Sequence, residues 1–235
     1  MSAHEQFKNG RPVGWGVFTW TNGQRYEGEW KNGQPHGPGV FTWRDGKRYE
    51  GSTADGKHEG KGRLTWPEGE AYVGYFHNGH EHGKGLFTSA DGSRYCGEFV
   101  QGQGQGYVVV RFADGSAYEG RWNASSIEGH GVSYSNGSFY QGQFKGSLPW
   151  GHGVLVKETG ARYSGSFAEA SRNGSGVYAW PDGSLFQGEF VEGMQHGCGV
   201  QLNPGQCSVT SWVRVVRDQG RVREESDVVE GVDDR

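Results

Sequence analysis

YEGEWKNGQPHGPGVFTWRDGKR, running from Tyr26 to Arg48, holds five glycines, one histidine and three large aromatics besides its opening tyrosine. Two readings compete. His36 lies among glycines as a metal ligand or catalytic base would, or the stretch is a structural unit whose glycines serve geometry. Its patterning favours the second. In YEGEW the aromatics and Gly28 alternate with Glu27 and Glu29, the period of a strand with one solvated face. KNG then makes a turn, with a glycine available for positive φ. His36 to Trp43 runs back as a second strand, and Asp45-Gly46 is a strong hairpin turn signal. The stretch is therefore expected to form one β-hairpin.

The same marks recur along the chain. An aromatic followed two residues later by Gly returns at Tyr49, Tyr72, Tyr95, Tyr118, Tyr140, Tyr163 and Phe186, at steps of 23 residues with a single step of 22. Four residues after the opener stand Trp30, Phe76, Phe99, Trp122, Phe144, Phe167 and Phe190, with Thr53 the exception. Glycine pairs such as Gly37/Gly39, Gly60/Gly62, Gly83/Gly85 and Gly197/Gly199 hold the same phase, as do turn signals such as Asp91-Gly92 and Asp182-Gly183. Gly14, Gly16, Trp20 and Asn22-Gly23 place a partial copy ahead of Tyr26. So many marks in phase establish an internal repeat.

Composition agrees. The 235 residues include 44 Gly, 9 Trp, 11 Tyr and 12 Phe. Gly does not recur every third residue, which excludes collagen, and such aromatic content excludes a disordered chain. Two units together approach a propeller blade, but adjacent units are alike, so the period is one hairpin. The expected fold is all-β: an elongated single-layer antiparallel sheet of eight to nine successive 23-residue hairpins. Gly28, Gly37 and Gly39 fall by alternation on the face of Tyr26, Trp30, Phe41 and Trp43, where a missing side chain leaves room for a ring.

Motifs such as YEGEWKNGQPHGPG, YVGYFHNGHEHGKG and FQGEFVEGMQHGCG resemble MORN repeats (membrane occupation and recognition nexus) over roughly residues 3 to 208. The resemblance implies a twisted single-layer sheet with a groove along one face and a scaffold or adaptor role. It also implies a cytoplasmic, cytoskeletal setting, with cilia, flagella and radial spoke heads among those known for the family. The expected organisation is a partial N-terminal repeat over 1–25, eight repeats over 26–208, an edge-capping strand over 209–217, and a mobile acidic tail over 218–235. Five places depart from the pattern. Thr53 replaces an aromatic, Val108 stands where a second Gly belongs, unit 118–139 is one residue short, Trp150 takes the histidine position, and the last repeat stops at Pro204-Gly205. These are where partner contacts are first expected.

The repeat position of His36, His82 and His196 also holds Glu59, Gln105, Glu128, Trp150 and Asn173, a spread that no imidazole-dependent site tolerates. His77, His80 and His82 flank a turn without a matching Cys or carboxylate set, so no metal is expected. The GQGQG of Gly102 to Gly106 lacks the strand-to-helix setting of a phosphate loop. No acid–base pair or nucleophile signature stands out, so no catalytic residue, enzyme activity or cofactor is expected. The net charge is −4 with scattered basic residues, which argues against nucleic acid and gives a membrane little to attract. No apolar run of about 18 residues is present; with no leader-like opening, the three cysteines are expected to be free thiols.

What remains is an aromatic groove formed by the second-strand row: Phe18, Trp20, Phe41, Trp43, Leu64, Trp66, Phe87, Val110, Phe112, Tyr178 and Trp180. A single-layer sheet cannot cover both faces by itself, so this row is expected to bind a protein partner, as a helix or extended peptide. Self-association into a larger assembly is a further expectation. The competing function is a membrane-surface adaptor for anionic phospholipid.

Overall fold

The computed structural model describes residues 6–8, 10–123, 126–204, 211–218 and 221–227. Every element among them is a β-strand, twenty in all. The chain divides into two compact units. Unit 1 is Met1–Gly115 with Trp122–Ser125, and unit 2 is Ser116–Arg121 with Ser126–Arg235. Within unit 1 each strand from Gln6–Lys8 to Gln103–Arg111 pairs antiparallel with the next. Unit 2 repeats the arrangement from Ser126–Ser135 onward.

The opening repeat shows how the sequence builds this. Arg25–Lys31 and Gln34–Thr42 are joined by Asn32-Gly33, both at positive φ (54° and 84°). That is the two-residue turn whose twist matches flanking strands. A wider turn follows, in which Trp43 N–H donates to Lys47 O at 2.9 Å and Gly46 N–H to Trp43 O at 3.0 Å. The short unit 118–139 resolves its missing residue here. Asn136-Gly137 becomes a two-residue turn closing Ser135 against Ser138.

Inside the hairpin the register jumps. Trp30 faces Pro35 while Gly28 faces Gly39, so His36–Pro38 bulge opposite Glu29. The jump recurs in the hairpins of the following units. It corrects the expectation for Gly37. Its φ is +76°, and a Cβ there would meet the Glu29 carboxylate at 2.5 Å rather than a ring. Gly37 serves the bulge, in the left-handed region that a side chain disfavours. Gly28 and Gly39 keep the expected role: a Cβ on Gly39 would lie 2.5 Å from Cε2 and Cζ of Tyr26.

The core is a ladder of rings on one face. Opener and fourth-position rings meet edge to face, as in Tyr26–Trp30 (5.3 Å, 81°), Tyr72–Phe76 (5.2 Å, 87°) and Tyr72–Phe99 (5.0 Å, 80°) of unit 1. Unit 2 has Tyr140–Phe167 (5.0 Å, 82°) and Tyr163–Phe190 (4.9 Å, 79°). Edge-to-face geometry sets the positive rim of one ring against the negative face of the next. The hydroxyls are satisfied locally. Tyr26 donates to Glu29 O (3.0 Å), Tyr49 to Ser52 O (2.6 Å), Tyr72 to Tyr75 O (3.1 Å) and Tyr163 to Ser166 O (3.0 Å). Thr53 fits the ladder without a ring: it is buried, its hydroxyl donates to Gly37 O at 2.9 Å, and it lies 3.3 Å from the Tyr26 hydroxyl.

Past the repeats, Ser211–Asp218 pairs with Met194–Leu202, overlapping the 209–217 stretch expected to cap the edge and running one residue beyond it. The sheet then runs one strand further. Arg221–Asp227 pairs with Ser211–Asp218, inside the 218–235 segment expected to be a mobile tail. The register sets Arg214 against Glu225 and Asp218 against Arg221. Residues 205–210, 219–220 and 228–235 lie outside the described residues, so those parts of the two expected segments do too.

Candidate functional site: two faces of one sheet

The expected aromatic groove does not open in unit 1. Phe41, Leu64 and Val110 are buried, the first two within the ring core itself. The registers Tyr26↔Phe41, Tyr49↔Leu64 and Tyr95↔Val110 set this row directly opposite the opener row. Trp20, Trp43, Trp66 and Phe87 are half-buried against the same core, with Phe41 stacking on Trp20 at 6.3 Å and on Trp43 at 5.6 Å. Lys47 Nζ lies over the Trp43 and Trp66 rings at 5.6 and 5.1 Å. Phe18 is exposed, while Phe112, Tyr178 and Trp180 are half-buried, the last two 4.7 Å apart in unit 2. Three members of the row thus belong to the core, and the others keep part of their surface exposed along its edge. The physical reason is that both strands of a hairpin present their rings to one face.

His58 illustrates how full that face is. Its ring stacks on Tyr49 at 3.7 Å and 13°, and its Nδ1 is buried without a hydrogen-bond partner. Burial, with Lys47 nearby, pushes the imidazole down to about 4. Burial likewise raises the Tyr72 phenol to about 12, with Glu81 adding to the effect. Of the histidines with loosely metal-like spacing, His77 is tied to Glu59, Nδ1 to Oε1 at 2.9 Å. That bond, with one from Asn78 N–H, holds the Glu59 carboxyl below its usual range.

The reverse face is open. In unit 2 a channel of about 830 Å³ runs across the strands, lined by backbone at Gly153, Gly165, Gly176, Gly188 and Gly199. Their missing side chains would all project toward the rings, as Gly165 and Gly176 show by their closeness to Tyr163. One wall is the row Val154, Ser164, Val177, Gln187 and Val200, in consecutive register. The other holds His152, Ser175, Glu189 and Cys198. No aromatic ring lines this channel. In unit 1 the same face exposes Trp15, Tyr75 and Tyr107, each about half-accessible. Sequence reasoning passed over them because it assigned this face to solvent. A signal was present: Tyr75 stands where Glu29 stands in the opening repeat.

A second cavity, of about 350 Å³, lies in unit 1 on the ring face at the Val108 departure. Val108 is buried opposite Gly97, so Tyr95 cannot settle over a glycine pair as its sister openers do. Tyr95 is half-exposed and faces Phe87 at 6.0 Å and Trp122 at 5.9 Å.

The repeat anatomy fixes the family. The MORN-repeat model matches residues 6–25, 26–48, 49–71, 72–94, 95–117, 118–139, 140–162, 163–185 and 186–207.

The chain belongs to the MORN-repeat family.

Eight of its nine repeats begin at the same openers that mark the hairpins, and the first, residues 6–25, falls within the partial copy expected over 1–25. No curated protein matches the chain. Among solved structures it is similar to a mutant of the TCP10 domain of Danio rerio CPAP, at 16% identity and TM-score 0.32, covering 91% of this chain and 99% of that one. It is also similar to the TCP domain of Drosophila melanogaster SAS-4 in complex with a proline-rich motif of Ana2. That likeness has 9% identity and TM-score 0.31, covering 91% and 89% of the two chains. Likenesses of this size carry no weight for function.

Proposed function

We propose that this MORN-repeat protein is a non-catalytic scaffold that binds a protein segment in extended conformation across the strands of unit 2. The observation that carries the reading is the reverse-face channel with its glycine backbone floor. Its walls stand two residues apart along each strand, about 6.7 Å. A helix with its side chains needs about 10–12 Å, so the width suits a single extended chain. Serine, glutamine, histidine and glutamate on the walls offer partners for the backbone groups of such a guest.

The spacing also reads the guest's sequence. Val154, Val177 and Val200 recur on every second strand, about 9.6 Å apart. A polyproline II segment advances about 9.3 Å per three residues. The preferred segment therefore places an apolar residue at every third position. Selection from a displayed library of random 16-residue peptides tests this. Enrichment of that pattern, lost with the Val177→Lys protein, is the expected result; peptides that bind both proteins equally would defeat the proposal.

The setting we propose is a ciliary or other cytoskeletal assembly, and family membership is its support. A tagged copy in a ciliated cell should concentrate on the axoneme or another filament system, and a uniform cytosolic signal would count against it.

A further inference from the structure

The 350 Å³ cavity of unit 1 is explained by a missing side chain at one repeat position. Nine residues after each opener, the second strand presents a residue to the ring face, opposite the fourth-position aromatic: Pro35 faces Trp30, Glu81 faces Phe76, and Arg172 faces Phe167. In unit 95–117 that residue is Gly104, facing Phe99. Sister side chains fill the place. His58 stacks on its opener, Tyr49. Arg172 fills it with a cation, its guanidinium carbon 5.8 Å from the Tyr163 ring, 4.8 Å from Tyr178 and 5.4 Å from Phe190.

Gly104 leaves that place empty while two of the three rings around it remain, with Val110 standing where Tyr178 stands and Phe87 adding a ring of its own. Tyr95 corresponds to Tyr163, and Trp122 to Phe190, by position in the repeat. Tyr95 and Trp122 stand nearly perpendicular, 86° apart, and with Phe87 and Phe99 they wall the cavity. A Cβ on Gly104 would lie 3.7 Å from Trp122 Cδ1 and Nε1, an ordinary contact, so the vacancy begins at the backbone. The Glu81 carboxylate lies beside Gly102 of the lining, 3.0 Å from where a Cβ on that glycine would be. Ring faces and a nearby carboxylate attract a cation, and a planar guanidinium stacks on rings as a compact ammonium does not.

We propose that this cavity is a binding site for an arginine side chain supplied by a partner protein, the guest guanidinium taking the place that Arg172 takes in its own repeat. The site lies in a different unit from the channel and does not depend on it.

The test follows the Trp122 indole N–H resonance in the full chain, assigned through a Trp122→Phe variant. Three capped glycine-rich heptapeptides are titrated, with a central arginine, citrulline or lysine. The arginine peptide is expected to shift this resonance saturably, at least tenfold more tightly than citrulline, which keeps the shape and loses the charge, and more tightly than lysine. Gly104→Arg, which refills the place from within, should abolish the shift. Equal binding of arginine and citrulline, or tighter binding of lysine, would overturn the assignment, as would an unchanged shift in a folded Gly104→Arg protein. The wild-type titrations decide the matter even if that variant fails to fold.

Discussion

The Tyr26 ring lies across Gly39 so closely that a Cβ there would fall 2.5 Å from two ring atoms. The ring is itself buried and held by its hydroxyl bond to Glu29 O, so it has nowhere to retreat. Gly39→Ala is expected to cost about 1–3 kcal/mol, the usual penalty of overpacking, read as a lower midpoint in urea denaturation. Val108 shows the alternative outcome at the equivalent position: the opener, Tyr95, is displaced and a cavity forms.

The opener hydroxyls predict a pair of opposite effects. Tyr163→Phe should lose the bond to Ser166 O at about 1 kcal/mol. Phe186 lacks a hydroxyl yet sits over Gly188 and Gly199 as the tyrosines sit over their glycines. Phe186→Tyr is therefore expected to gain up to about 1 kcal/mol, measured by the same denaturation curves.

Turn chemistry gives a stabilising change. Glu169-Ala170 occupies the two-residue turn of unit 163–185 with φ of 48° and 65°, where five sister repeats place a glycine second (Gly33, Gly56, Gly79, Gly102 and Gly193). A left-handed alanine costs about 1 kcal/mol or more. Ala170→Gly should raise the melting temperature, and an unchanged or lower value would show that the turn carries no strain.

His58 makes stability depend on pH. Its ring is held neutral in the fold, with a pKa of about 4, against an ordinary value of 6.5. Between these values the unfolded chain binds more protons than the folded one, so stability rises with pH across this window and falls on acidification from 6.5 towards 4. After discounting for solvent screening the effect is on the order of 2 kcal/mol. His58→Gln should flatten that part of the pH–stability profile.

Much of the fold was legible in the repeat. The openers, the fourth-position rings and the two turns lie where the 23-residue phase puts them. Face assignment survived the bulge because the register jump adds two residues, an even number that returns each strand to its face beyond the interruption. Gly37 sits inside the jump, and alternation fails there because a left-handed residue reverses the direction of its would-be side chain. The burial of Phe41, Leu64 and Val110 was hidden for a different reason. Period-2 patterning shows that Phe41 and Trp43 share a face, but not that a ring from the facing strand already covers that space. The channel escaped notice because its floor is backbone, and glycine carries no pattern for the face it leaves bare. Of the departures, Val108 did mark a cavity; the contribution of Gly104 becomes visible only when the ninth position is followed across all repeats.

Cys198, an exposed free thiol in the channel wall, reports directly on whether an extended segment binds the reverse face. With Cys96 and Cys207 replaced by serine, an environment-sensitive fluorophore on Cys198 is titrated with a proline-rich peptide carrying leucine at every third position. A saturable change is predicted that Val177→Lys abolishes without altering the melting temperature, while Trp43→Ala lowers the melting temperature and leaves binding intact. Binding that survives Val177→Lys but is lost in Trp43→Ala would contradict the account and return the partner to the ring face.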